Sequence, residues 1–160
     1  MAQKLNKSRM FNSKVALILA FLLILFSRQF WENESPLHEL LDFTGYFLIA
    51  LCALGRVYST AFLGGFKNKD LITYGPFSVV RNPLYVFSLI GVTGIALISN
   101  HLAIIIGLPV FFLVLYIFLI KREEQFLESE FGDSYQEYKK TVPRLLPKFS
   151  LYNAPETISM

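Results

Sequence analysis

Tyr74-Gly75-Pro76-Phe77-Ser78-Val79-Val80-Arg81-Asn82-Pro83-Leu84-Tyr85 opens an apolar stretch that closes on Lys121-Arg122-Glu123-Glu124-Gln125-Phe126-Leu127. Between Arg81 and Lys121 lie 39 residues without a formal charge, interrupted only by Ser99-Asn100-His101. A membrane-crossing helix needs about 20 apolar residues, so this stretch holds two. Two antiparallel helices joined by a tight turn return the chain to the side it left. The polar clusters at the two ends should therefore meet at one membrane face and build a site there.

The rest of the chain agrees. Of its 160 residues, 54% are hydrophobic and 17% charged, with sixteen Phe and eight Tyr against one Trp. That composition selects an all-α, polytopic membrane bundle over a soluble domain, with room for one domain (1–150), about four transmembrane helices and a cytosolic C-terminal helical segment. Residues 151–160 read as a loose tail. The single cysteine, Cys52, excludes an intramolecular disulfide and reads as a small hydrophobe in helix packing. His38 and His101 fall in predicted loops without clustered partners, so no metal site is expected. Lys139-Lys140 and the other basic residues of the tail suit anionic lipid headgroups rather than nucleic acid.

Working outward, the first span centres on Val15–Phe26, twelve apolar residues. These give only about 18 Å of helix, and snorkelling of Lys14 and Arg28 makes up the difference. A secretory signal peptide is the competing reading, but Ser27-Arg28-Gln29 offers no small-x-small cleavage site. The second span runs from Leu37 to about Tyr58, the third over Leu84–Ile98 and the fourth over Leu102–Ile120. Pro109 predicts a kink in the fourth; Gly91 and Gly94 predict close helix packing in the third. Four positive charges and no acid precede residue 15, whereas the loop from Ser27 to Asp42 carries Glu32, Glu34, Glu39 and Asp42 against Arg28. The next loop has Arg56, Lys67, Lys69 and Arg81 against Asp70. By the positive-inside rule both termini and the 55–83 loop are cytosolic, as are both polar clusters.

Local chemistry refines the clusters. Gly75 permits a positive φ and Pro76 fixes the next, so Asp70–Phe77 reads as a tight turn entering the membrane surface. Asn82-Pro83 reads as N-cap and first helical residue. That accounts for neither Arg81 nor Tyr85, which would lie together at the mouth of the bundle. Carboxylates are unfavourable at a helix C-terminus, so the fourth helix should continue past Glu123-Glu124 to a cap at Gly132. Ser134-Tyr135-Gln136-Glu137 then reads as a capping box for another short helix. Two acids beside a basic turn suit a cationic or hydroxyl-rich ligand.

The order and spacing of these elements resemble the isoprenylcysteine carboxyl methyltransferase and phospholipid methyltransferase superfamily. Its signature is a T-x-G-x-(Y/F) turn, R-H-P-x-Y, a helical hairpin, an E-E pair, F-G-x-x-Y-x-x-Y and V-P-x-x-x-P. Here the counterparts are Thr73–Phe77, Arg81-Asn82-Pro83-Leu84-Tyr85, Glu123-Glu124, Phe131-Gly132-Asp133-Ser134-Tyr135-Gln136-Glu137-Tyr138 and Val142-Pro143-Arg144-Leu145-Leu146-Pro147. Residues 70–147 carry the resemblance; the first two spans match only in hydropathy.

The resemblance implies an integral membrane enzyme that takes a methyl group from S-adenosylmethionine and places it on a lipid-like or hydrophobic acceptor. It implies cofactor contacts from Lys69, Asp70, Leu71, Ile72, Phe77, Asn82, Pro83, Leu84, Tyr85 and Glu123. Arg81 is expected to orient the glutamate or the turn, and Glu124 to accept a proton from an amine acceptor. Two positions depart from the pattern. Asn82 replaces the usual His and cannot titrate near neutrality, and Leu119 replaces an arginine that holds the substrate carboxylate in prenylcysteine enzymes. Lys121, Arg122 or Arg144 are the candidates to replace that arginine. A bacterial inner membrane is expected before the endoplasmic reticulum. Two alternatives are a membrane reductase of the sterol reductase type, for which the chain shows no glycine fingerprint, and a non-catalytic binding module on the same scaffold.

Overall fold

The computed structural model describes residues 35–63 and 71–154. The expected first span, Gly64-Gly65, Lys69, Asp70 and residues 155–160 lie outside the described residues. Among the described residues, four helices follow one another: α1 (Pro36–Leu63), the single-turn α2 (Pro76–Val79), α3 (Pro83–Ile98) and α4 (Leu102–Thr141), followed by a 3-10 turn at Phe149–Leu151. No strand occurs among the described residues. Helices α1 and α4 are long and apolar enough to cross a membrane, and α3 is apolar but only 16 residues long.

Ser35 starts α1: its hydroxyl accepts the His38 backbone N–H at 3.2 Å, with Pro36 following. His38 therefore sits in the first turn of a helix, not in a loop as expected, with Nε2 3.7 Å from Asp42. At its other end α1 runs five residues past Tyr58. Ser59 and Thr60 do not stop it because their hydroxyls donate back to the carbonyls of Gly55 and Arg56, at 2.8 and 2.6 Å. Arg56, counted among the loop charges although the expected span reached Tyr58, lies in the body of the helix.

Helices α1 and α3 approach through glycines. A Cβ on Gly94 would stand 2.6 Å from the Gly45 carbonyl oxygen, and one on Gly91 2.6 Å from Cys52 Sγ. Lacking side chains, these positions let the backbones pack directly, as expected for Gly91, Gly94 and Cys52. The α3–α4 turn is pinned to α1 by Asn100, which is 2% exposed and has φ 53°. Its Nδ2 donates to Asp42 Oδ1 at 2.9 Å.

Helix α4 keeps helical dihedrals through Pro109, where only one backbone donor is missing, and leaves them at Gly132 with φ 52° and ψ −125°. That value of φ is the left-handed region that glycine tolerates. Gly132 redirects the chain, and the 133–142 segment buries Tyr135, Tyr138 and Val142 against Leu71, Leu127 and Phe131. The expected cap and the expected second helix are thus one bent element.

Residues 151–154 are not a loose tail. The Gly75 N–H donates to the Asn153 carbonyl at 2.8 Å, and the Asn153 N–H to Ser78 Oγ at 2.9 Å. Lys148 N–H reaches the Val79 carbonyl at 3.0 Å. The turn around Gly75, itself at φ 60°, leaves backbone groups unpaired, and the C-terminal strand of chain satisfies them.

Candidate active site

Arg81 follows the one-turn helix α2 and Val80, whose extended backbone releases the chain. Its own N–H donates to the Pro143 carbonyl at 2.9 Å, which fixes the residue against the returning C-terminal segment. The side chain then reaches α4: Nη2 lies 3.0 Å from Glu124 Oε1, and Nη1 donates to the Lys139 carbonyl at 2.7 Å. The two clusters, separated by the hairpin, do meet.

Glu124 is 3% exposed and holds a second cation. Arg144 Nη2 stands 2.6 Å from Oε2, and Nε lies 3.1–3.2 Å from both oxygens. The hydrogen bond to Glu124 raises the Arg144 pKa above its ordinary value, against the opposing pull of burial. One buried acid thus ties α4 to Arg81 before α3 and to the Val142–Pro147 segment. Sequence reasoning considered Arg144 as a substrate cation; the fold uses it on Glu124. Arg81 was expected to orient Glu123 or the turn; it pairs with Glu124 instead, because residues 123 and 124 leave a helix about 100° apart.

Asn82 occupies the N-cap position of α3 but does not cap with its side chain. Its Nδ2 donates to the Arg144 carbonyl at 3.2 Å, so Pro83 starts the helix and the amide serves the ionic cluster instead. Pro83 is buried, and the Tyr85 ring tilts against Tyr116 of α4 at 5.1 Å. The Leu84 carbonyl accepts Ser88 Oγ at 2.7 Å and Arg56 Nη1 at 3.4 Å. Ile72 is buried and Leu71 packs on the Tyr135 cluster. The Phe77 carbonyl accepts the Tyr138 hydroxyl at 2.7 Å. Glu123 is exposed on the outer side of α4. Lys69 and Asp70 belong to the residues not described.

Burial pushes the Tyr135 hydroxyl up to about 12 and raises Tyr138 as well. Both phenols are neutral hydrogen-bonding groups beneath the ionic cluster. Among the described residues, Arg81 Nε is a buried donor without an acceptor. The two ends of the hairpin therefore offer an unused guanidinium donor, the Asn82 amide, aromatic faces and an exposed carboxylate. Such a set suits a polar ligand that carries both charge signs. Among the described residues no three His, Cys, Asp or Glu side chains gather as a metal site.

The cobalt-zinc-cadmium resistance protein CzcN of Cupriavidus metallidurans is 35% identical over 145 residues, 89% of this chain and 64% of its own length. The nickel-cobalt-cadmium resistance protein NccN of Alcaligenes xylosoxydans xylosoxydans is 26% identical over 127 residues, covering 79% of this chain and 59% of the relative. The chain thus spans about three-fifths of the length of these two relatives. The protein-S-isoprenylcysteine O-methyltransferase of Schizosaccharomyces pombe is 40% identical over 86 residues, 51% of this chain and 35% of the yeast protein. The family model described as phospholipid methyltransferase matches residues 40–134, which include α1 from Leu40 onward, α3, the Arg81–Tyr85 run and the glutamate pair. That match covers more than half of the chain, and the chain belongs to the phospholipid methyltransferase family.

Proposed function

We propose that this protein is an integral membrane methyltransferase that uses S-adenosylmethionine to methylate a lipid-like or hydrophobic acceptor at the cytosolic face. The observation that carries the proposal is the Arg81–Glu124–Arg144 cluster, with its 3.0 and 2.6 Å contacts, at the mouth of an apolar helix bundle. It locks together the three segments that carry the family's polar motifs. Family membership and the identity to the yeast methyltransferase support the same chemistry.

The donor set fits the cofactor. The unused Arg81 Nε–H and the Asn82 amide suit its carboxylate, and exposed Glu123 suits its ammonium or ribose hydroxyls. The rings of Phe77 and Tyr85 suit its flat base. When bound, the cofactor would supply a methyl group already activated on a sulfonium, which an anionic oxygen acceptor could take without losing a proton. The chain's part is then alignment, which contributes on the order of 7–11 kcal/mol to such reactions. An amine acceptor releases one proton, and Glu124 takes it only by freeing an oxygen from Arg144. Four spans, with the first over residues 15–26 and both termini in the cytosol of a bacterial inner membrane, complete the proposal; the charge pattern supports this orientation.

The test is transfer of a tritiated methyl group by the purified protein in nanodiscs made with its host lipid extract. Label should enter the organic phase, and Asn82→Ala should reduce it by an order of magnitude or more. Absence of cofactor-dependent label in every lipid and hydrophobic acid fraction would remove the proposal.

A further inference from the structure

Arg56 is a formal charge set deep in the otherwise uncharged Phe43–Leu63 part of α1. It lies about 21 Å along the helix from Asp42, within the roughly 30 Å of hydrocarbon that α1 would cross. No carboxylate pairs with it among the described residues. Its Nη1 is held by two neutral acceptors on α3, Ser88 Oγ and the Leu84 carbonyl. An arginine in a membrane span is costly to place and marks a function unless it is neutralised or reaches the interface. This one is turned toward a neighbouring helix.

The guanidinium lines a cleft of about 250 Å³ between α1, α3 and α4. Ile49, Cys52, Val92 and Ile95 form its apolar wall, while Arg56, Ser88 and Tyr116 supply its polar end. Gly91 keeps the floor open where a side chain would meet Cys52. The polar end adjoins the candidate active site directly. Ser88 is one helical turn from Leu84, and Tyr116 packs on Tyr85. A molecule in this cleft would keep its apolar part among the helices and its head group within a turn of the Asn82–Tyr85 run.

We propose that this cleft binds the apolar acceptor and that Arg56, held in place by Ser88, recognises an anionic oxygen head group on it. This rests on the methyltransferase reading for the word acceptor; the anion site itself rests on Arg56. The planar guanidinium fork pairs with two oxygens at once, and Arg56 is exposed, with no carboxylate partner among the described residues. Because Arg56 stands on α1, it works outside the Glu124 cluster, whose two arginines are already committed.

The test is equilibrium binding of tritiated hexadecanoate and of its neutral counterpart hexadecanol to the full-length protein in zwitterionic nanodiscs, at mildly alkaline pH. Hexadecanoate should bind on the order of tenfold more tightly than hexadecanol. Arg56→Gln should bring the two within about twofold of each other, Ser88→Ala should narrow the gap less, and Arg56→Lys should retain part of it. S-adenosylhomocysteine binding measured alongside reports folding and tests the methyltransferase reading separately. Arg56-dependent selectivity without S-adenosylhomocysteine binding would uphold the anion site and remove that reading. Equal binding of the two probes to the wild type, or selectivity surviving in Arg56→Gln, would overturn the proposal. So would complete competition by phosphatidylglycerol in the nanodisc, which would make Arg56 a contact for bulk lipid.

Discussion

Replacing Glu124 by alanine should unfasten three segments at once. The Arg81 and Glu124 side chains are 8% and 4% exposed, so the variant strands a buried guanidinium whose other bond is to the Lys139 carbonyl. Removing one partner of a buried pair costs about 3–5 kcal/mol, because the remaining charge is left without compensation. Arg144→Ala leaves the buried Glu124 still paired with Arg81 and removes only a cation that is 36% exposed, so it should cost less, about 1 kcal/mol. Against a total stability of roughly 5–15 kcal/mol, the first loss is severe and the second mild. Denaturant unfolding in detergent micelles, with proteolysis of the 142–154 segment as a local readout, separates the two. The Arg81→Ala/Glu124→Ala double variant should be less destabilised than the sum of its parts, since neither charge is then stranded. A Glu124→Ala loss below about 1 kcal/mol, or strict additivity in the double variant, would refute the reasoning.

Other outcomes follow from single positions. Gly132→Ala should destabilise by about 1–3 kcal/mol although its Cβ would meet nothing within 4 Å, because φ is 52°; an unchanged unfolding midpoint would count against the bend being obligatory. Gly94→Leu should separate α1 from α3, since even a Cβ would stand 2.6 Å from the Gly45 carbonyl oxygen. Overpacking of that kind costs about 1–3 kcal/mol or more, read as a lower melting temperature in detergent. Tyr138→Phe leaves the Phe77 carbonyl without its 2.7 Å donor and should cost about 1–2 kcal/mol. Raising the pH tests Tyr135. Its folded pKa is about 12 against 10.0, so its stabilisation is complete below pH 10 and is lost as pH climbs through 12. Tyr135→Phe should flatten that part of the alkaline limb.

Hydropathy and charge made the hairpin legible. The 39 uncharged residues, the small turn at Ser99-Asn100 and the two polar ends required the clusters to meet, and the 3.0 Å Arg81–Glu124 contact is that meeting. The glycine contacts of α3 were legible for the same reason, because small residues in a membrane helix mark a close neighbour. The partition of the acid pair was not. Residues 123 and 124 are equivalent in composition, and only the rotation of α4 decides that Glu124 faces inward and Glu123 outward. Nor did sequence show that Ser59 and Thr60 would satisfy themselves within α1. The docking of Asn153 on Gly75 and Ser78 depends on contacts 75 or more residues apart, which no local pattern encodes.

The central claim is a cofactor site at the mouth of the α3–α4 hairpin. Calorimetric titration of S-adenosylhomocysteine into the purified full-length protein in nanodiscs, beside Glu123→Ala, tests it most directly. Binding in the micromolar range that weakens at least tenfold in Glu123→Ala is the predicted result, since exposed Glu123 can be removed without stranding a partner. No heat of binding from folded wild-type protein would contradict the account.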